Sequence, residues 1–406
     1  MATNSLLTTH LVTNRALRIL KGNLNFVKRL NRNYQGEFAK TGMKVGEVIS
    51  IRKPVRYQGR TGAVMVPEAT VEEYVPLVLN NIFGVDAAFS LSELTLSIDE
   101  FASRIIEPAM NTISQNIEAK TLAAMTQATY NTLGTPGTVI TDPKIFNTVN
   151  AVINSNGGTA STSRTIVLDP YAMANAQGLF QNFFNPQPTI SEQYKTGLVS
   201  QALNMDWYVV NNVSVQTVGV YGGAPVVTVA GQTGSTLLTQ GWTATTTSLN
   251  VGDTFTIAGV FAVNPNTKAV IPGKLQQFVV TTKSVTDAGG LSSLNISPAI
   301  VTSGPYQNVS AGPAALAPIT VLGATGVSTA YALAWDKDAF TFVSVPFDEP
   351  AVAPGQTHVE QDPETGIFIR ATQCYDYTNN VNYYRFDVLY GFSATYPELA
   401  VKIATV

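Results

Sequence analysis

The side chains able to carry chemistry are few. Histidine occurs only as His10 and His358, so neither a His-rich metal set nor a repeated acid–base pair can be assembled. The single cysteine, Cys374, has no base near it in the sequence and lies in a strand-like segment, which predicts a small core residue. Asp362 and Glu364 flank a Pro-turn before Gly366 and are expected to form a solvated turn, not a catalytic dyad. The patterns G-x-x-x-x-G-K-[ST], G-x-S-x-G and H-E-x-x-H do not occur. Gly219, Gly222 and Gly223 sit in a β-turn context with no helix after them, so a phosphate cradle is not expected. Asn212, Asn295 and Asn308 match the glycosylation sequon, which matters only in a secreted chain. No catalytic, cofactor-binding or metal-binding residue is assigned, and an enzyme with a β accessory domain is disfavoured.

What remains is architecture, and its longest signal runs from Ser97 to Thr129. Ser97 and Glu100 have capping-box spacing, and Asp99 and Glu100 put negative charge at the positive end of the helix dipole. Phe101, Ile105, Ala109, Ile113 and Ile117 recur every four residues as one apolar stripe. Pro108 cannot donate to the preceding turn, which predicts a short helix and then a longer one from about Pro108. This helix is expected to be a spine.

With 406 residues the chain exceeds one ordinary domain, and 45% hydrophobic residues supply large cores. Charged residues are only 13%, so stability has to come from packing. One cysteine excludes an intrachain disulfide and fits a reducing compartment. No secretory leader and no apolar run of about 18 residues is visible, so export and membrane spanning are not expected. The net charge of −3 hides a division. Residues 1–60 carry 12 basic and two acidic side chains, while the remainder carries 12 basic and 25 acidic. Such a chain can attract its own copies, arm to body, or lay the arm on a polyanion.

From Thr13 the sequence is amphipathic, with Val12, Ala16, Ile19 and Leu20 on one side and Arg15, Arg18 and Lys21 away from it. No local partner is evident, which predicts a docking arm. Residues 43–90 turn to β character. Val48–Ile51 leads out, Ala63–Val66 returns, and Val75, Leu77 and Leu79 and then Val85, Ala87 and Phe89 alternate, which predicts a long hairpin whose tip carries Arg52, Lys53, Arg56 and Arg60. After the spine, Thr141-Asp142-Pro143 starts a helix that Gly157 ends, and Thr165–Leu168 is a buried strand. Asp169-Pro170 starts a second helix, closed by Gly178, and Trp207–Val210 is a further strand. Between Val213 and Thr329 only Asp253, Lys268, Lys274, Lys283 and Asp287 are charged, and short β runs recur between turn residues. That composition predicts a small all-β barrel or sandwich inserted into an α/β region, whose texture returns at Ala332–Trp335, Asp338–Phe340, Ile367–Thr372 and Arg385–Tyr390.

The order of these parts resembles the major capsid (coat) proteins of short-tailed, double-stranded-DNA bacteriophages with an insertion domain. The resemblance is carried by Glu107-Pro108-Ala109-Met110 in the spine, Gly252–Val260 in the barrel and Ala334–Phe340 after it, and by Arg385–Gly391 and Tyr396–Val401 at the end. It implies an α+β chain with the Hong Kong 97-type capsid fold. The implied parts are an N-terminal arm (1–42), an extended loop (43–92), a spine helix and peripheral domain (93–130), a first axial segment (131–212), an inserted barrel (213–329), and a closing axial and peripheral segment (330–406). It also implies a structural subunit of an icosahedral head in the virion, assembled in the host bacterial cytoplasm. The implied partners are further copies of itself in pentamers and hexamers, a scaffolding protein, a portal and packaged double-stranded DNA, with no cofactor and no membrane. The charge division adds candidate inter-subunit contacts at Arg15, Arg18, Lys28, Arg29, Arg52, Arg56 and Arg60. The rival reading, a surface-layer or adhesin-like β-rich protein, would need an export signal. A nucleic-acid module built on the basic first 60 residues lacks the aromatic interleaving that base stacking needs.

Overall fold

The computed structural model describes residues 9–36, 46–90, 102–158, 164–180, 201–347 and 357–405, except residues 61, 66, 71, 213, 246–248, 363, 364, 377 and 380. The expected capping box at Ser97 and Glu100, and Phe101, lie outside them. Four α-helices and 20 strands, numbered α1–α4 and β1–β20 in chain order, occur among the described residues. The chain divides into two compact units, one from residues up to 51, 74–121 and 340–393, the other from 52–73, 122–339 and 394 onward.

In the first unit, α1 (Thr9–Asn23) packs on β17 (Thr357–Gln361) and β18 (Phe368–Asp376). Val12, Ala16, Leu17 and Leu20 are buried there, while Arg15 and Arg18 stay exposed. The amphipathic stripe therefore has a cover within its own chain, and the expectation of a helix without a local partner is corrected. A sheet face, assembled from residues more than 300 positions away, supplies an apolar surface that no reading of neighbouring sequence can show. β18 pairs with the 14-residue β19 (Val381–Ala394), which also pairs with β3 (Asn81–Ser90) from Val381↔Ser90 to Tyr390↔Asn81. β16 (Phe340–Val345) is a further neighbour of β19.

The hairpin also differs from expectation. β1 (Val48–Arg52) pairs with β2 (Tyr74–Val78), and the flanking bonds Gly46 N–H to Leu79 O and Lys53 N–H to Glu73 O make the pair antiparallel. Of the apolar run expected to return, Ala63, Val64 and Met65 form no strand, and Val64 and Met65 are 79% and 77% exposed. Ile51, Leu77 and Leu79 instead bury against Val343, Val345 and Leu389, so the strand with a core to face is the one that pairs.

The spine is a π-helical turn, Ala102–Ile106, followed by α2 (Glu107–Ala128). Pro108 falls in the first turn of α2, where a missing N–H costs nothing. Ala109, Ile113 and Ile117 are buried as the stripe predicts, together with Met110, Leu122 and Met125.

The second unit contains two cores. In the first, α3 (Lys144–Ser155) and α4 (Pro170–Phe180) cover a sheet ordered β4-β20-β15-β5-β7-β6, with β8 also on β15. Its strands are β4 (Thr132–Leu133), β5 (Arg164–Leu168), β6 (Gln201–Ala202), β7 (Met205–Val209), β8 (Ser214–Thr217), β15 (Ser328–Asp336) and β20 (Ala400–Ala404). The Asp142 carboxylate accepts the Lys144 N–H at 2.9 Å, and Gly157 takes φ +93° beyond the C-terminus of α3. Gly178 does not close α4, which runs on to Phe180 because that ring packs on Phe146 and Trp207 at 5.6 and 5.5 Å.

The second core fills an antiparallel barrel inserted between β8 and β15, which pair with each other. Its strands are β9 (Gly223–Val227), β10 (Gly234–Trp242), β11 (Thr254–Val263), β12 (Val270–Val280), β13 (Ser292–Ile300) and β14 (Ile319–Val321), ordered β14-β11-β12-β13-β10-β9. The Val226↔Pro318 bridge and the Val227 N–H to Ala317 O bond (3.0 Å) bring β9 back to the start of β14 and close the ring. Leu237, Phe255, Phe278, Leu294 and Ile296 fill the interior. β10 was not legible in the sequence, because its inward residues are spread among Thr, Gln and Gly.

Candidate assembly surface

The seven basic candidates separate into two groups. Arg15, Arg18 and Lys28 are exposed, the first two on α1 and the third on the 3-10 turn Val27–Arg29. Arg52 is exposed and meets Glu72 at 3.4 Å, and Arg60 in the same loop donates to the Gly62 carbonyl. Arg29 and Arg56 are engaged within their own chain. Arg29 donates to the Asn25 carbonyl. The Arg56 guanidinium donates to Glu398 at 3.1 Å and lies 5.9 Å from the Tyr306 ring, while Lys53 lies 5.3 Å from the Tyr396 ring. These contacts fold the loop over a cleft of about 320 Å³ lined by Lys53, Arg56, Tyr130, Tyr306, Tyr396 and Glu398. Burial, with Glu398 nearby, pushes the Tyr130 hydroxyl well above its usual range, so it stays protonated.

A residue the sequence reading passed over holds the N-terminal segment. Glu118 on α2 is buried, and its Oε1 accepts the backbone N–H groups of Asn25 and Phe26, the latter at 2.6 Å. These N–H groups stand ahead of the 3-10 turn, so the carboxylate acts as its cap from another element. Burial pushes the Glu118 carboxyl up, against the lowering effect of those N–H groups and of Arg29. An acidic residue on a helix reads as solvent-facing unless its packing partner is known.

Cys374 is exposed on β18, not a core residue; it is the one exposed position of a strand whose other residues are buried or half-buried. Asp362 is buried and accepts the Thr365 N–H at 2.7 Å, so the turn before Gly366 is not solvated at that end. Glu364 lies outside the described residues. His358 meets Glu360 at 2.7 Å on β17. Among the described residues no three His, Cys, Asp or Glu side chains are grouped to hold a metal, and no helix is long and apolar enough to cross a membrane.

Residues 1–404 match the family described as P22 coat protein, gene protein 5. The chain belongs to the P22 coat protein family. It is a major capsid protein of tailed phages, with the α+β architecture of the Hong Kong 97-type fold, and it forms an icosahedral head. Solved structures with similar chains include one from Mycobacterium phage Che8, 10% identical, with a TM-score of 0.47 over 94% of this chain and 90% of that one. The capsid of cyanophage P-SCSP1u is 10% identical at a TM-score of 0.41, covering 90% and 85%. A virus-like particle from Pyrococcus furiosus is 8% identical at 0.41, covering 97% and 98%. At these scores the overlaps add nothing to the family match, which carries the assignment. No curated protein sequence matches the chain.

Proposed function

We propose that this coat protein joins its neighbours through the exposed members of its basic set, Arg15, Arg18, Lys28, Arg52 and Arg60, set against acidic surface on adjacent copies. The observation that supports this is the sorting of the cations. Arg29 and Arg56 are half-buried on intramolecular acceptors, whereas Arg15, Arg18 and Lys28 are exposed, and Arg52 and Arg60 stay exposed even with Glu72 and the Gly62 carbonyl beside them. The rest of the chain supplies an excess of acidic side chains. Opposed patches of this kind fix register and speed encounter more than they add affinity. A standard interface of about 1,600 Å² leaves its apolar centre to supply the affinity. Repeated around closed rings, weak contacts add to a durable shell.

On this reading residues 1–42 are the arm, 43–92 the extended loop, 93–130 the spine and peripheral part, and 131–212 with 330–406 the axial and returning parts. The insertion (213–329) braces the subunit. The partners are other copies in pentamers and hexamers, a scaffolding protein, a portal and double-stranded DNA held by non-specific contact. Assembly takes place in the bacterial cytoplasm, and the chain performs no catalysis. The test is electron microscopy of the protein expressed with and without a scaffolding partner, as wild type and as R15E/R18E/K28E. Wild type is expected to give closed shells at low salt, and the triple variant to give soluble subunits that keep the wild-type circular dichroism. Normal shells from the variant at low salt would refute the electrostatic pairing.

A further inference from the structure

The barrel and the seven-stranded sheet have separate apolar cores with no residue in common. What joins them is polar. The Thr132 N–H donates to Gln277 Oε1 at 2.7 Å, Gln277 Nε2 donates to the Thr132 carbonyl at 3.0 Å, and the Thr132 and Thr254 hydroxyls meet at 2.9 Å. The Gly219 N–H donates to Asp253 Oδ2 at 2.8 Å, and Asn250 Nδ2 donates to the Thr217 carbonyl at 3.0 Å. Within this seam lies Lys402, 1% exposed, on β20. Its Nζ donates to the Gly252 carbonyl at 2.6 Å and to Gln216 Oε1 at 3.4 Å. We infer that Lys402 is a proton-sensitive latch, whose neutral amine ties the inserted barrel to the sheet and whose protonation loosens the seam.

The geometry supplies the reasons. Gly252, whose carbonyl accepts from the Lys402 amine, has φ +91°, a left-handed backbone that favours glycine, and its Cα side lies against the Gln216 side chain. The titratable groups facing the amine are Asp253 at the start of β11 and Tyr331 on β15, whose ring lies 5.3 Å from Nζ; Tyr221 feels Asp253 in turn. Asp253 Oδ2 is already shared by the Gly219 and Asn250 N–H groups, and its Oδ1 accepts no hydrogen bond among the described residues. Burial holds the Lys402 amine down to about 7 against the pull of Asp253, and burial pushes the Asp253 carboxyl up. As pH falls, Lys402 charges. The carboxylate near that charge, Asp253, is itself made harder to ionise by burial.

The sign follows from linkage. In an opened seam the amine meets water and recovers its ordinary value of 10.5, while in the closed seam it titrates at about 7. Between those values the open form holds more protons, so opening grows as pH falls, by up to about tenfold per pH unit, and levels off below about 7.

The experiment is amide hydrogen exchange of the full-length chain, read at peptides containing Thr132 and Gly219 and corrected for intrinsic rates. From pH 9.5 to 7.5 the protection of these amides is expected to fall by tens of fold, and in K402M to change less than threefold. A flat profile in wild type, or the wild-type slope retained in K402M, would overturn the latch. If K402M does not fold, the titration of the Lys402 Cε resonance in the wild-type chain decides. A midpoint near 7 supports the latch, and one above 9 overturns it.

Discussion

Replacing Glu118 should separate the hydrogen bonds it makes from the charge it carries. Both the Asn25 and Phe26 N–H groups donate to the same oxygen, Oε1. Glu118→Gln keeps that oxygen, so both donors keep it as an acceptor; Glu118→Ala takes it from one buried and one half-buried N–H group. At about 1–3 kcal/mol for each unsatisfied donor, E118A loses at least about 2 kcal/mol of the local stability holding residues 25–30 to α2. E118Q gives up the extra strength of charged hydrogen bonds but escapes the cost of burying a charge, so the two effects offset to within about 1 kcal/mol. Hydrogen exchange at the Phe26–Leu30 amides reads this directly, since about 1.4 kcal/mol is a factor of ten. E118A should exchange there at least about thirty-fold faster than wild type, and E118Q within about fivefold. The pH dependence has a defined sign. Glu118 has a folded pKa raised above its usual 4.5, so its contribution is fully present below pH 4.5 and is lost as pH rises through the folded value. E118Q should lack that slope. Equal exchange in E118A and E118Q at neutral pH would refute the capping role.

Two other outcomes follow from buried or misjudged side chains. Asp387 is 1% exposed and is held by Arg370 at 2.7 Å and Arg385 at 2.8 Å, with Arg370 also 4.1 Å from the Phe347 ring. D387A should therefore destabilise the β18–β19 pair by about 3–5 kcal/mol, seen as a lower denaturant midpoint, because a guanidinium is left without its carboxylate. Cys374, exposed on β18, should react with a thiol reagent in the native unassembled subunit at one equivalent per chain, and labelling that needs denaturant would show the site to be covered.

Much of the chain's organisation was written locally. Helix starts at Asp142-Pro143 and Asp169-Pro170, the buried strand at Thr165–Leu168 and the charge-poor β insertion all depend on neighbouring residues, through caps, alternation and turn chemistry. The scarcity of His and Cys and the basic bias of the first 60 residues are properties of composition alone. Tertiary structure decided what each surface meets. It gave α1 a cover on β17 and β18, and chose Tyr74–Val78 over Ala63–Val66 as the partner of β1. It also turned Glu118 and Lys402 from ordinary surface charges into buried ones. One signal for Lys402 did exist, a single cation inside the apolar run Ala400–Ala404, though its acceptor lies 150 residues away at Gly252. Contacts across such separations depend on which faces the folded chain brings together. Local propensity sets the elements, and burial then sets the charge state and partner of each polar side chain they carry.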